Sequence, residues 1–304
     1  MEAGATRASR LRFPSVSLKA FRRVALLALA ALFLIVASGA TVRLTASGLG
    51  CENWPRCGET FLPEQGFHAY VEFGNRAVGI AVGLVTLLVA AAAWRAERLP
   101  RWLVWAATAL PFTVLAQGVL GGITVIFELH PLIVMAHFLL SLVAIAVAVA
   151  VVVGSLGLSE GDRPAPAAAA LALASVPGAL VLVVTGALVT AAGPHSGGEE
   201  IPRFGNLLDA VHVHIGATAA FGIAFVGLLV ALVLGRLRPE LLLAAGVLLL
   251  LVAQMAIGEL QWRNGLPWGL VLVHVVVATA VWTGMVAIAT RLGLRSRRVP
   301  LPEA

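Results

Sequence analysis

The chain has 304 residues, of which 60% are hydrophobic and only 12% charged, and its mean hydropathy is +0.97. A soluble domain is nearer half apolar and a quarter charged, so a water-soluble globular enzyme, a disordered chain and a coiled coil are excluded. The net charge of +6 is no nucleic-acid signature, because 20 of the 21 basic residues are Arg and most lie in short segments between apolar runs, where they report topology.

Those apolar runs fall, in chain order, at 22–43, 71–93, 102–126, 131–154, 167–191, 207–235, 240–259 and 267–290. Each can cross a hydrocarbon core of about 30 Å at about 1.5 Å per residue, and each far exceeds a barrel strand of about 10 residues. The expected fold is an all-α integral membrane protein with eight transmembrane helices. Only Phe127–His130 separate the third and fourth runs, and Pro131 suits the first turn of a new helix. The first run is too long for a removed signal peptide and lacks an obvious small-residue cleavage site.

Eight spans place both termini on one side. Sixteen basic residues fall there: Arg7, Arg10, Arg12, Lys19, Arg22 and Arg23, then Arg95, Arg98, Arg101, Arg163, Arg236 and Arg238, then Arg291, Arg295, Arg297 and Arg298. Arg43, Arg56, Arg203 and Arg263 fall on the other side, and Arg76 lies within a helix. Positive charge stays inside, so both termini are expected in the cytoplasm of a multi-pass plasma-membrane protein, with loops 44–70 and 192–206 outside.

The halves resemble each other. Ala116-Gln117-x-x-x-Gly121 recurs as Ala253-Gln254-x-x-x-Gly258, and the same offset of 137 carries His137 onto His274 and Gly79 onto Gly216. Ser38-Gly-Ala-Thr-Val likewise matches Thr185-Gly-Ala-Leu-Val. The expected organisation is a cytoplasmic tail (1–21), a first four-helix bundle (22–154), a linker (155–166), a second four-helix bundle (167–290) and a cytoplasmic tail (291–304). Four spans per half give repeats of equal orientation, related by an axis along the membrane normal.

Titratable residues inside a bilayer are costly and are functional candidates by default. The seven His are His68, His130, His137, His195, His212, His214 and His274, none in a cytoplasmic segment. His137 and His274 lie about 10–12 Å below the outer surface, with His212 and His214 at similar or slightly shallower depth. Imidazoles on facing helices hold haem iron axially, so helices two and four could form one site and helices six and eight another. Zinc or copper is disfavoured by the absence of a Cys, Asp or Glu cluster beside these His, apart from Glu72 and Asp209. His212 and His214 are about 200° apart on a helix and cannot both face one site. The 137 offset sets His212 against Asn75, whereas the following small-residue face favours His214.

Helix two has no His at the depth of Asn75. His68, Glu72, Asn75 and Arg76 share one face, so the first site is expected to use His137 alone with Asn75 beside it, or to recruit His68 from higher up. Glu72 and Arg76 are spaced for an i, i+4 ion pair, which does not exclude a chemical role. Cys51 and Cys57 flank a short Pro-containing segment in an oxidising compartment. They read either as a structural staple or as a labile, redox-active pair.

Together these residues resemble the haem A synthase family. The likeness covers about 22–290 and rests on Ser38-Gly-Ala-Thr-Val-Arg-Leu-Thr-x-Ser-Gly-Leu-Gly-Cys51 with Trp54-Pro55-x-Cys57, Val71-Glu-Phe-Gly-Asn-Arg76, Gln117-Gly-x-Leu-Gly-Gly-Ile-Thr-Val125 and His137. The second half adds Thr185-Gly-Ala-Leu-Val-Thr-x-x-Gly-Pro-His195, His214 and His274. The single outer Cys pair resembles the actinobacterial branch. The resemblance implies a haem b cofactor held by His214 and His274, and a substrate haem near His137. It also implies a catalytic role for Glu72 and oxidation of the haem O C8 methyl to the formyl of haem A, for cytochrome oxidase. The family pattern Glu-x-x-His-Arg reads Glu72-Phe-Gly-Asn75-Arg76 here, leaving a weakly ligated substrate that a product-releasing site could use. Arg43, Arg76 and Arg203 are candidates to pair with haem propionates.

The implied partners are haem O handed over by a haem O synthase, membrane lipid and an unidentified electron donor. A homo-oligomer is allowed and no nucleic acid is expected. The competing readings are a quinol-linked haem b electron carrier, whose haems would sit at two depths, and a transporter, whose broken helices and midplane polar groups are few here.

Overall fold

The computed structural model describes residues 15–51, 53–64, 66–157, 165–195, 197–198, 201 and 203–297. Arg7, Arg10, Arg12, Arg163 and Arg298, and most of the two tails and the linker, lie outside the described residues. Among the described residues eight helices follow in order: α1 (Leu18–Leu44), α2 (Phe67–Arg95), α3 (Arg101–Ile126), α4 (Pro131–Leu156), α5 (Pro166–Ala192), α6 (Leu207–Leu234), α7 (Arg238–Arg263) and α8 (Trp268–Arg297). All eight are long and apolar enough to cross a membrane. A chain in hydrocarbon must satisfy every backbone N–H and C=O internally, and a helix does so within one segment.

Local chemistry sets the helix starts. Ser17 caps α1 by accepting from the Ala20 amide (3.3 Å), and Asn206 caps α6 by accepting from Leu208 (2.8 Å) and Asp209 (3.2 Å). Pro stands in the first turn of α4, α5 and α7, where its missing N–H costs nothing. Several helices outrun their apolar stretches, because helical hydrogen bonding continues into polar flanks. In particular, the tail expected from residue 291 is helical through Arg297.

That extension has a partner. Glu240, in the first turn of α7, is fully buried and binds Arg291 Nε (2.6 Å) and Arg295 Nη1 (2.5 Å) of α8. A carboxylate shared by two guanidiniums keeps the last turns of α8 folded against α7.

Helix α1 packs on α2 and α4, α2 on α3, and α3 on α4; in the second half α5 packs on α6 and α8, α6 on α7, and α7 on α8. Each half therefore closes a ring of four. Among the described residues α2 does not contact α4, and α6 does not contact α8, so these pairs face each other diagonally across their rings. The rings meet where α4 and α8 pack, joined by α1–α8 and α4–α5 contacts. There Trp282 donates its indole N–H to the Leu142 carbonyl (2.9 Å). Much of the interior is Ala, including Ala28, Ala107, Ala144, Ala148 and Ala172. Small residues let helix backbones approach where water supplies no driving force between them. Leu242, Ile223, Leu249 and Ile80 point away from the rings and stay exposed, as side chains that face lipid do.

Candidate functional site

The even-numbered helices all begin at the end of the molecule that carries the α1–α2 and α5–α6 loops. About two turns in, each carries one polar side chain directed at the preceding odd-numbered helix. Asn75 is the ninth residue of α2, His137 the seventh of α4, His214 the eighth of α6 and His274 the seventh of α8. At about 1.5 Å per residue, the four stand within about 3 Å of one depth.

Glycine makes room for each. A Cβ added at Gly121, Gly186 or Gly258 would stand only 3.2, 3.1 or 3.3 Å from Cε1 of His137, His214 or His274, and one at Gly39 would stand 3.7 Å from Asn75 Oδ1. A polar neighbour on the same odd helix completes each contact. Gln117 Nε2 donates to the His137 carbonyl (2.9 Å) and Gln254 Nε2 to the His274 carbonyl (2.8 Å). Thr185 Oγ1 lies 3.0 Å from His214 Nδ1, and Ser38 Oγ donates to Asn75 Oδ1 (2.7 Å). Ser38-Gly39 therefore meets Asn75 as Thr185-Gly186 meets His214. The side chain equivalent to Asn75 is His214, two residues beyond the position that the 137 offset assigns. His212 is exposed on another face of α6, because two helical residues differ by about 200°.

The hydroxyl of Thr185 donates to the Leu182 carbonyl (2.9 Å), so it accepts from His214 Nδ1–H. That hydrogen bond selects the tautomer whose Nε2 keeps its lone pair, which is the form a metal binds. Among the described residues, Nδ1 of both His137 and His274 is buried without a hydrogen-bond partner. Imidazoles at one depth on the non-contacting helices α6 and α8, and one on α4, each seated on glycine, are of the kind that would hold a haem. Among the described residues, no three His, Cys, Asp or Glu side chains converge to hold a free metal ion.

The α1–α2 loop packs on α2 and α3 at the loop end of the first ring. Cys51 and Cys57 are joined in a disulfide. Glu72, only 5% exposed, accepts from the Cys51 amide at Oε2 (2.8 Å) and pairs through Oε1 with Arg76 (2.5 Å). Arg76 Nη1 reaches back to the carbonyls of Asn53 (3.3 Å), Pro55 (3.3 Å) and Arg56 (2.8 Å). From this anchor the loop extends to α3. A Cβ on Gly122 would stand 2.6 Å from Trp54 Cδ2, so the indole lies directly on the α3 backbone, one residue from the glycine beneath His137.

Other candidates are engaged elsewhere. His68 is exposed and its Nδ1 bonds Ser47 Oγ (2.8 Å). Arg43 donates to the carbonyls of His195 (2.9 Å) and Thr190 (3.1 Å), and Arg203 donates to the Gly193 carbonyl. Both arginines thus satisfy carbonyls at the end of α5, where cations are favoured. Arg76 donates to Glu72 and to the loop carbonyls.

The sequence matches the model of the cytochrome oxidase assembly protein family (COX15-CtaA) over residues 22–286. The chain belongs to that family. Its similar members include proteins named Heme A synthase. One from Symbiobacterium thermophilum is 34% identical over 139 residues, 41% of this chain and 41% of the relative. One from Geobacillus kaustophilus is 35% identical over 113 residues, 34% and 33% of the two chains. One from Bacillus licheniformis is 28% identical over 127 residues, 41% and 42%. These alignments span well under half the length of each relative. Family membership covers the region holding all four polar stations. Four participants went unassigned by sequence reasoning: Thr185 and Ser38 as side-chain partners, Trp54 as a contact on α3 and Glu240 as an ion-pair centre. Thr185 and Ser38 did carry a signal, since both open the matched Gly-Ala segments.

Proposed function

We propose that this chain is a haem A synthase, converting the C8 methyl of haem O to the formyl group of haem A for cytochrome oxidase. The observation that carries the reading is the matched set of polar stations at one depth, one pair in each ring. A set at a single depth suits chemistry at one membrane face rather than electron transfer across the bilayer. His214, oriented by Thr185, and His274 would hold a haem b cofactor, with His137 and Asn75 lining the substrate site. When bound, such a haem supplies one-electron chemistry that side chains lack. In each of two successive hydroxylations an external oxidant of the dioxygen class inserts one oxygen atom into a methyl C–H bond. Its other oxygen leaves as water after taking two electrons from the electron donor and two protons. Loss of water from the resulting gem-diol leaves the formyl.

The chain's own residues orient and shield. Trp54 and the disulfide loop lie against α2 and α3 at the loop end of the first ring, where they would shield a bound substrate. Glu72 lies one turn outside Asn75 on α2, about 4.5 Å along the axis. Its carboxylate is held in place by Arg76 and the Cys51 amide, and in the reaction it would accept a proton or stabilise a cation developing at the oxidised carbon. We place both termini in the cytoplasm and the two sites toward the outer face of the plasma membrane, from the distribution of Arg. Haem O then arrives within the membrane from a haem O synthase, and an electron donor outside this chain completes turnover.

The test is expression of the full chain in a host that makes haem O but no haem A, followed by extraction of the pigments. Haem A is expected with the wild type. Glu72→Gln is expected to retain bound haem while formyl formation falls at least a hundredfold. A colourless purified protein, or haem A formed normally by Glu72→Gln, contradicts the assignment of the enzyme or of Glu72 respectively.

A further inference from the structure

The four polar stations are seated alike but differ in kind at one position. Three of the four polar stations are imidazoles, and the fourth is the amide of Asn75. The equivalence is structural: Ser38-Gly39 holds Asn75 as Thr185-Gly186 holds His214. An amide oxygen is a hard donor with little affinity for haem iron beside imidazole, and Asn75 Oδ1 already accepts from Ser38 (2.7 Å). No other imidazole takes its place. His68 is seven residues nearer the loop end, about 10 Å along the axis, and is bound to Ser47. His130 precedes α4 itself and is exposed.

We propose that Asn75 leaves the first ring's haem with one protein ligand, His137, and an open axial position on the Asn75 side, while the second ring's haem is held by both His214 and His274. This rests on the haem A synthase reading and specifies how the two sites divide their work. The second site retains its haem permanently through two imidazoles. The first binds its haem through one imidazole, releases it more readily and admits a small neutral ligand of the diatomic class to the iron. Asn75 is in this sense a positioning residue: it keeps the face polar and free of a ligand.

The experiment uses the full chain in detergent, titrated with haem b to two per chain. In the oxidised protein, electron paramagnetic resonance is expected to show high-spin and low-spin haem in equal amounts. After reduction with dithionite, carbon monoxide should shift half of the Soret absorption. His137→Ala should remove the carbon-monoxide-reactive half and leave the low-spin half. Asn75→His should supply the missing ligand, turn the high-spin signal low-spin and reduce the carbon-monoxide-reactive fraction at least tenfold. Asn75→Ala should bind carbon monoxide as the wild type does.

Two low-spin haems in the wild type that do not react with carbon monoxide overturn the proposal and leave the enzyme assignment standing. So does an Asn75→Ala variant that gains a high-spin signal absent from the wild type, since Asn75 would then be a ligand. An Asn75→His variant that stays fully reactive also overturns it. A chain that takes up no haem at all removes the enzyme reading itself. Should Asn75→His fail to accumulate, the wild-type, His137→Ala and Asn75→Ala spectra decide the matter.

Discussion

Single side chains set how each imidazole is held. His214 has its Nδ1 held by the Thr185 hydroxyl, whereas among the described residues Nδ1 of His137 and of His274 has no partner. A hydrogen bond behind a ligating imidazole orients the ring and raises its basicity, and loss of such a partner typically costs about 10–100-fold in affinity. Thr185→Val is therefore expected to weaken haem retention in the second ring by about that factor, and Thr185→Ser to restore it; haem titration of the purified variants measures both. Gly186 acts on the same ring by shape. A methyl there would press within 3.1 Å of His214 Cε1, so Gly186→Ala should tilt the imidazole and lower haem occupancy without unfolding α5.

At the scale of elements, two polar clusters fasten helices that share a largely apolar surface. The buried Glu240 binds Arg291 and Arg295 and joins the start of α7 to the end of α8. Removing a buried carboxylate that two guanidiniums share loses both contacts and costs on the order of a few kcal/mol. Glu240→Ala is expected to destabilise the protein by about that much, read as a lower unfolding temperature in detergent, with haem stoichiometry retained in the fraction that stays folded. The second cluster is the disulfide loop, pinned to α2 by Glu72 and Arg76 and to α3 by Trp54. Gly122→Leu leaves no space for the indole 2.6 Å away. The loop should then lift, and trypsin should cut after the exposed Arg56 at least tenfold faster than in the wild type, as mass spectrometry of the digest would show. An unchanged cutting rate would mean that Trp54 does not hold the loop down.

At the scale of the whole molecule, the rings meet through α4 and α8, the two helices that carry His137 and His274, with Trp282 bonded to Leu142 across the seam. Each ring nevertheless has its own diagonal, so the sites should empty independently. His137→Ala should lose one haem and His274→Ala the other, each variant keeping about one per chain by pyridine haemochrome assay. Loss of both haems from either variant would tie the sites together. The eight spans, the odd–even alternation and the recurrence of Gln117-x-x-x-Gly121 with His137 were legible in the linear order of residues. In hydrocarbon only a helix satisfies an isolated segment's backbone, so length and apolarity identify the element, and an equal offset between matching residues identifies equivalent places on it. The rotation of each helix about its axis was not legible, because these helices are apolar nearly all round and carry no polar stripe to say which face turns inward. Only packing against α5 chose His214 over His212 and set Asn75 in the equivalent place. Only the return of the α1–α2 loop gave Glu72 the Cys51 amide, and only the approach of α8 gave Glu240 two arginines more than fifty residues away. The sequence by itself determined what this protein is made of and how often it crosses the membrane. Which few polar atoms meet was decided by tertiary structure, since those contacts join segments whose separation no local period records.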